Sequence, residues 1–113
     1  MLAWVQVSAA AVVSLTLAGA AASADQAKTA PKAHVINMQI AGFDPPELIV
    51  KRGDRVTWVN NDLFPHTATA DDKAFDSKSI VPSGKWTFVA DKPGTHTYIC
   101  TFHPTMKGTI KVQ

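Results

Sequence analysis

The chain has 113 residues, with eleven Lys and Arg against nine Asp and Glu for a formal net charge of +2. That length holds a single domain. A near-balanced charge without runs of one sign excludes a nucleic-acid footprint and an electrostatic membrane patch.

Residues 1–24 carry no charged side chain, are rich in Ala, Val and Leu over 9–17, and end in Ala22-Ser23-Ala24 just before Asp25. This pattern predicts a secretory signal peptide cleaved after Ala24. The Ala, Gly and Ser content of the segment is too weakly hydrophobic to favour a membrane anchor. The opening Met1-Leu2-Ala3-Trp4 lacks the usual Lys or Arg, which points to a start codon upstream of Met1. Residues 25–32 are small and polar and read as a flexible leader.

The remainder, 33–113, reads as one all-β domain. Runs of strand composition are expected over 34–40, 48–51, 55–60, 67–70, 85–90, 96–100 and 109–112. Between them stand turn signals such as Pro45-Pro46, Gly53-Asp54, Asn60-Asn61-Asp62, Pro82-Ser83-Gly84, Pro93-Gly94 and Lys107-Gly108. No segment carries sustained helical periodicity. Seven or eight short strands separated this way predict a β-sandwich. The alternation places Val56 and Trp58 on one face of their strand, and Trp86 with Phe88 on one face of theirs. These aromatic side chains are expected in the core.

Cys100 is the sole cysteine, so no intramolecular disulfide forms in a domain that export would expose to an oxidising compartment. Its neighbours give it another role. Cys100-Thr101-Phe102-His103-Pro104-Thr105-Met106 places a thiolate, an imidazole and a thioether at three-residue intervals after a strand. His66, in a loop stiffened by Pro65, adds a second imidazole from a distant segment. Two nitrogens, a thiolate and a weak thioether form the donor set that selects a mononuclear copper electron-transfer site. His96 shares a strand face with Tyr98 and Cys100, so it points inward. At four strand residues from Cys100, roughly 13 Å away, it cannot bind the same ion, and it is expected to be a core histidine with local partners. His34, beside the leader, is expected to be solvent-exposed.

Most of the domain resembles the cupredoxin family, and within it the amicyanin, plastocyanin and pseudoazurin group. The resemblance rests on Phe43-Asp44-Pro45-Pro46-Glu47-Leu48, on Lys51-Arg52-Gly53-Asp54-Arg55-Val56-Thr57-Trp58-Val59-Asn60, on Pro65-His66, on Pro93-Gly94-Thr95 and on the segment from Tyr98 through Cys100, His103 and Met106 to Gly108. It implies a Greek-key β-sandwich with one copper ion, cycling between Cu(I) and Cu(II), at one end. His66, Cys100 and His103 would lie in a near-trigonal plane, with Met106 as the long axial ligand. It also implies a monomeric periplasmic electron carrier, not an enzyme, since such a coordination shell keeps no open position. Its partners would be a c-type cytochrome and a dehydrogenase or oxidase, docking where His103 reaches solvent through an apolar patch of Phe64, Pro65, Pro104 and Met106. At low pH His103 would protonate and leave Cu(I).

Two residues depart from the group's pattern. Thr67 stands where the group usually has Asn, so a hydroxyl replaces the side-chain amide that ties the first histidine's segment to the ligand loop. Phe102 stands where amicyanin and plastocyanin have Pro, which restores a backbone N–H. Two backbone donors to Cys100 Sγ, from Thr67 and Phe102, are therefore expected. Other classes fit less well. A copper-trafficking protein would carry several exposed Met and His ligands, and this chain has only Met38 to spare. A zinc domain more often pairs its cysteines, and a redox-active thiol would need a resolving cysteine.

Overall fold

The computed structural model describes residues 30–113 and, before them, residues 2, 3, 10, 11 and 14. The expected signal peptide and most of the expected leader lie outside the described residues. Eight strands run in chain order: β1 Ala33–Gln39, β2 Gly42–Asp44, β3 Glu47–Val50, β4 Arg55–Asn60, β5 Thr69–Ala70, β6 Lys85–Val89, β7 Gly94–Ile99 and β8 Lys107–Val112. They form two four-stranded sheets, β2-β1-β4-β6 and β3-β8-β7-β5. Within them β1 pairs with β4 and β3 with β8 in parallel, and the other neighbours are antiparallel. This is the expected all-β sandwich.

Each sheet buries one face, and the period of two decides which residues go inside. In β4, Val56, Trp58 and Asn60 are buried while Arg55 is exposed. In β7 the buried positions are His96 and Tyr98, and Cys100 continues the series just past the strand end. Trp58 is at the centre of the core. Its ring lies 5.2 Å from Phe75, 5.6 Å from Trp86 and 5.5 Å edge-on from Tyr98, centroid to centroid. Trp86 and Phe88 pack on that cluster from a half-buried position. A tryptophan so placed stabilises the fold by about 3–5 kcal/mol relative to alanine.

Four differences from the sequence expectation exceed one residue, each because of tertiary pairing. Strand β2 is not among the expected strands, which leave residues 41–47 to the connection around Pro45-Pro46, yet Phe43 is buried and pairs with Met38. Thr67 and Ala68 lie outside β5, because their segment is drawn onto residues 76–80 by the bridges His66↔Ile80 and Thr69↔Asp76. Strand β7 begins early at Gly94, whose φ of +125° starts the pairing with Val112. Strand β8 begins early at Lys107, opposite Ile99. That last pair closes residues 100–106 into a hairpin loop at one end of the sandwich. Close approach in the same hairpin requires Gly108, because a Cβ there would collide with the Tyr98 ring.

Candidate metal centre

The segment after β4 is built by side chains that replace missing backbone pairing. Asn60 is fully buried and its Nδ2 donates to the carbonyls of Phe64 at 2.8 Å and Ile80 at 2.9 Å. Its Oδ1 accepts the Asp62 N–H at 2.9 Å. Asp62, also buried, then splits its carboxylate. Oδ1 accepts the Leu63 N–H at 2.7 Å, and Oδ2 lies 2.6 Å from Nε2 of His66. The backbone of His66 exchanges both hydrogen bonds with Ile80, at 3.2 and 2.7 Å. The imidazole is thus held at backbone and ring alike.

That arrangement decides the tautomer. A neutral imidazole has one N–H and one lone pair, and the acceptor at Nε2 keeps the proton there. Nδ1 is left as the donor atom for a metal, and it faces Cys100 Sγ at 3.6 Å. The His66 hydrogen bond in turn holds the Asp62 carboxyl below its ordinary range.

The second segment supplies the other donors. Cys100 is completely buried at the end of β7. Its loop is closed by three backbone bonds: Cys100 N–H to Met106 C=O at 3.1 Å, His103 N–H to Cys100 C=O at 3.2 Å, and Met106 N–H to His103 C=O at 2.8 Å. These bonds give the three-residue spacing its purpose, since each turn returns a ligand-type residue toward the same point. Sγ lies 3.8 Å from His103 Nδ1, and the donor atoms of His66, Cys100 and His103 all lie within 4.8 Å of one another. His66 and Cys100 are buried and His103 is exposed. Met106 is buried in the same loop. It therefore adds no exposed surface to the apolar patch, as the resemblance implied it would.

Around the thiol one expectation is met and another is not. The Thr67 N–H donates to Sγ at 3.4 Å, and the Thr67 hydroxyl accepts the Thr101 N–H at 2.8 Å, so a hydroxyl ties the two segments together. The second donor to Sγ, the Phe102 N–H, is absent among the described residues. The loop turns so that the next inward-bonded amide is that of His103, which goes to the Cys100 carbonyl.

The remaining histidines are elsewhere. His96 is buried with Nδ1 2.6 Å from Asp72 Oδ2 and Nε2 2.9 Å from the Lys92 carbonyl, the locally partnered core residue expected. His34 corrects the sequence reading. It is half-buried, at 20% side-chain exposure, because its Nε2 pairs with Asp54 at 3.0 Å. Asp62 and Asn60 are the functional residues that sequence reasoning missed. Asp62 stands four positions before His66, and an acid at that interval from a ligand was the signal available.

The fold and the site together define a β-sandwich protein with, among the described residues, a preformed His/Cys/His cluster and a buried methionine in the same loop as two of its members. A soft thiolate with two imidazoles and a thioether suits copper, and the Asp62-held tautomer frees the ring nitrogen that a metal requires. Comparison with known proteins agrees. The family model described as Cupredoxin-like domain matches residues 7–112, and the chain belongs to the cupredoxin family. It is 30% identical to amicyanin-alpha of Methylorubrum extorquens, over 94% of this chain and 94% of that protein. It is 34% identical to plastocyanin of Scenedesmus fuscus, over 63% of this chain and 86% of that one. Among solved structures, the reduced state of a phenylalanine-for-proline mutant of amicyanin superposes with a TM-score of 0.66 at 31% identity, covering 72% of this chain and 82% of that one. Copper, one ion per chain, is the metal of this site.

Proposed function

We propose that this protein is a periplasmic one-electron carrier whose copper ligands are His66, Cys100, His103 and Met106. Copper supplies the one-electron chemistry, alternating between Cu(I) and Cu(II). The protein's own residues keep the ligands from rearranging as charge changes. Asp62 fixes the His66 ring, Thr67 holds Cys100 by an N–H and a hydroxyl, and the loop's three backbone bonds set His103 and Met106. A shell built before the metal arrives has little to reorganise when an electron enters or leaves.

The observation that carries this reading is the contrast in exposure within the cluster. Cys100 and His66 are buried, while His103 reaches the surface with its ring 4.9 Å from that of His66; Leu63 and Phe64, just before His66, and Phe102, next to His103, are 85%, 57% and 51% exposed. Pro65 and Pro104 are exposed there too, and no residue of 63–70 or 100–106 carries a formal charge. Exposed large apolar side chains gathered in this way mark a protein contact surface, and a small interface suits rapid exchange. A c-type cytochrome and a dehydrogenase or oxidase are the partners proposed to dock on it, with the electron passing through the His103 edge. The uncharged 1–24 segment and its Ala22-Ser23-Ala24 end support export to the periplasm by a cleaved signal peptide. The carrier works as a monomer with no substrate chemistry of its own.

The test is purification of the copper-loaded mature form. An intense absorption band toward the red end of the visible in the oxidised protein, a reversible midpoint potential and rapid electron exchange with c-type cytochromes are expected. A colourless oxidised copper form would overturn the assignment. Voltammetry through the acid range also checks whether His103 leaves Cu(I) on protonation; a potential independent of pH would sink that part.

A further inference from the structure

The Thr67 hydroxyl is the centre of a hydrogen-bond chain that leads away from the metal centre. Its Oγ1 accepts the Thr101 N–H at 2.8 Å and lies 3.1 Å from the hydroxyl oxygens of both Thr69 and Thr101. A hydroxyl has two lone pairs and one proton. With one lone pair taken by the Thr101 N–H and the other facing the Thr69 hydroxyl, the Thr67 proton goes to Thr101 Oγ1, so Thr67 grips the residue next to Cys100 twice.

Thr69 is differently placed. Its one proton has two acceptors within reach: Thr67 Oγ1 at 3.1 Å and Asp76 Oδ1 at 3.2 Å. Asp76 is itself held in place. Lys78 donates its backbone N–H to Oδ1 at 2.9 Å and its ammonium lies 3.1 Å from Oδ2. These contacts, the backbone one foremost, keep the Asp76 carboxyl below its usual range and therefore ionised at neutral pH. The spacing is set by backbone. Thr69 and Asp76 are bridge partners, and Ala68 accepts the Ser77 N–H at 3.0 Å while donating its own N–H to the Ser77 hydroxyl at 2.8 Å. A carboxylate attracts a shared proton more strongly than a neutral hydroxyl does.

We propose that Asp76 is a positioning residue for the copper-ligand loop, acting through the single proton of Thr69. While Asp76 draws that proton, Thr67 Oγ1 remains a strong acceptor for the Thr101 N–H and holds the backbone beside Cys100 firmly. When the charge is removed, Thr69 gives its proton to Thr67 outright. Thr67 then becomes a poorer acceptor for Thr101, because two donors share the electron density of one oxygen. A surface carboxylate is thereby coupled to the thiolate ligand across three threonines. The inference rests on the copper reading for its consequence, but not for its test.

The experiment compares the parent with Asp76→Asn, Thr69→Val and the double variant. Asparagine keeps an acceptor for the Lys78 N–H, and valine keeps the branched shape of Thr69. The primary readout is amide hydrogen exchange of the Thr101 N–H by NMR in the metal-free protein. Asp76→Asn should speed that exchange by up to about five-fold, the factor that weakening one ordinary hydrogen bond gives. It should have no such effect in the Thr69→Val background, and Thr69→Ser should restore the sensitivity. In the copper-loaded protein the charge-transfer band and the midpoint potential should respond to Asp76→Asn more strongly with Thr69 present than in the Thr69→Val background. Equal effects in both backgrounds would show through-space charge or general loosening and overturn the proposal. So would no effect in the parent. If the exchange coupling appears but copper gives no intense visible band, the copper reading fails and the coupling stands.

Discussion

Asp62 divides its two carboxylate oxygens between two donors, the Leu63 N–H at 2.7 Å and His66 Nε2 at 2.6 Å, and Asp62→Asn breaks that division. An amide has one oxygen and an NH2 where the second oxygen was, so it serves one donor and not both. The Leu63 N–H belongs to the adjacent residue and cannot move away, so the amide nitrogen turns toward His66. There a donor meets a donor. The imidazole relieves the conflict by giving up its Nε2 proton and carrying it on Nδ1, the atom that faces Cys100 at 3.6 Å. Metal binding then requires the less favoured tautomer. Loss of such an outer partner ordinarily lowers metal affinity 10–100-fold, and because the wrong tautomer is here the preferred one, the expected loss is about 100-fold. Competition with a Cu(I) chelator measures the affinity, and nitrogen NMR of the His66 ring in metal-free protein measures the tautomer. An unchanged affinity with the proton still on Nε2 would refute the reasoning.

Asp54 accepts from His34, from the Lys32 N–H and from the Lys51 N–H, and the His34 bond foremost lowers its carboxyl from 3.8 to about 2. A carboxyl lowered on folding contributes stability above its unfolded value and loses it as pH falls through the folded one. Asp54→Asn should therefore be less stable at neutral pH, with a shallower stability loss between 3.8 and about 2; urea midpoints across that range check it, and parallel curves would count against it. Gly108→Ala drives a Cβ into the Tyr98 ring and should cost about 1–3 kcal/mol or more in thermal or urea unfolding. Cys100→Ser should abolish the intense visible band of the oxidised copper form while leaving circular dichroism intact, because the charge-transfer donor is the thiolate. A band that persists in that variant would exclude Cys100 as a ligand.

Much of this was legible in the residue order. Alternation within Arg55–Asn60 named its buried face correctly, and the same rule set His96 inward without making it a ligand. The spacing in the Cys100–Met106 segment announced a chelating loop. What escaped was of two kinds. Short pairings such as β2 leave almost no local pattern, because three residues carry one buried side chain, Phe43. Polar residues such as Asn60, Asp62 and Asp54 read as turn formers and reveal a structural part only when their partners come into view.

The sequence by itself determined the β class, the core-facing positions and the donor-type side chains available to the site, because strand alternation and residue spacing within one loop are local properties of a chain. Tertiary structure alone decided how those atoms meet. Cys100 and His66 stand 34 residues apart, and only the packing of the two sheets brings Sγ and Nδ1 to 3.6 Å. The same packing decided that His34 pairs with Asp54, that Thr67 supplies a backbone N–H to the thiol where Phe102 does not, and that Met106 is buried while His103 is exposed. Each of these is a contact between segments, and a hydrogen bond of about 3 Å depends on where the backbone of both partners has been carried by the fold.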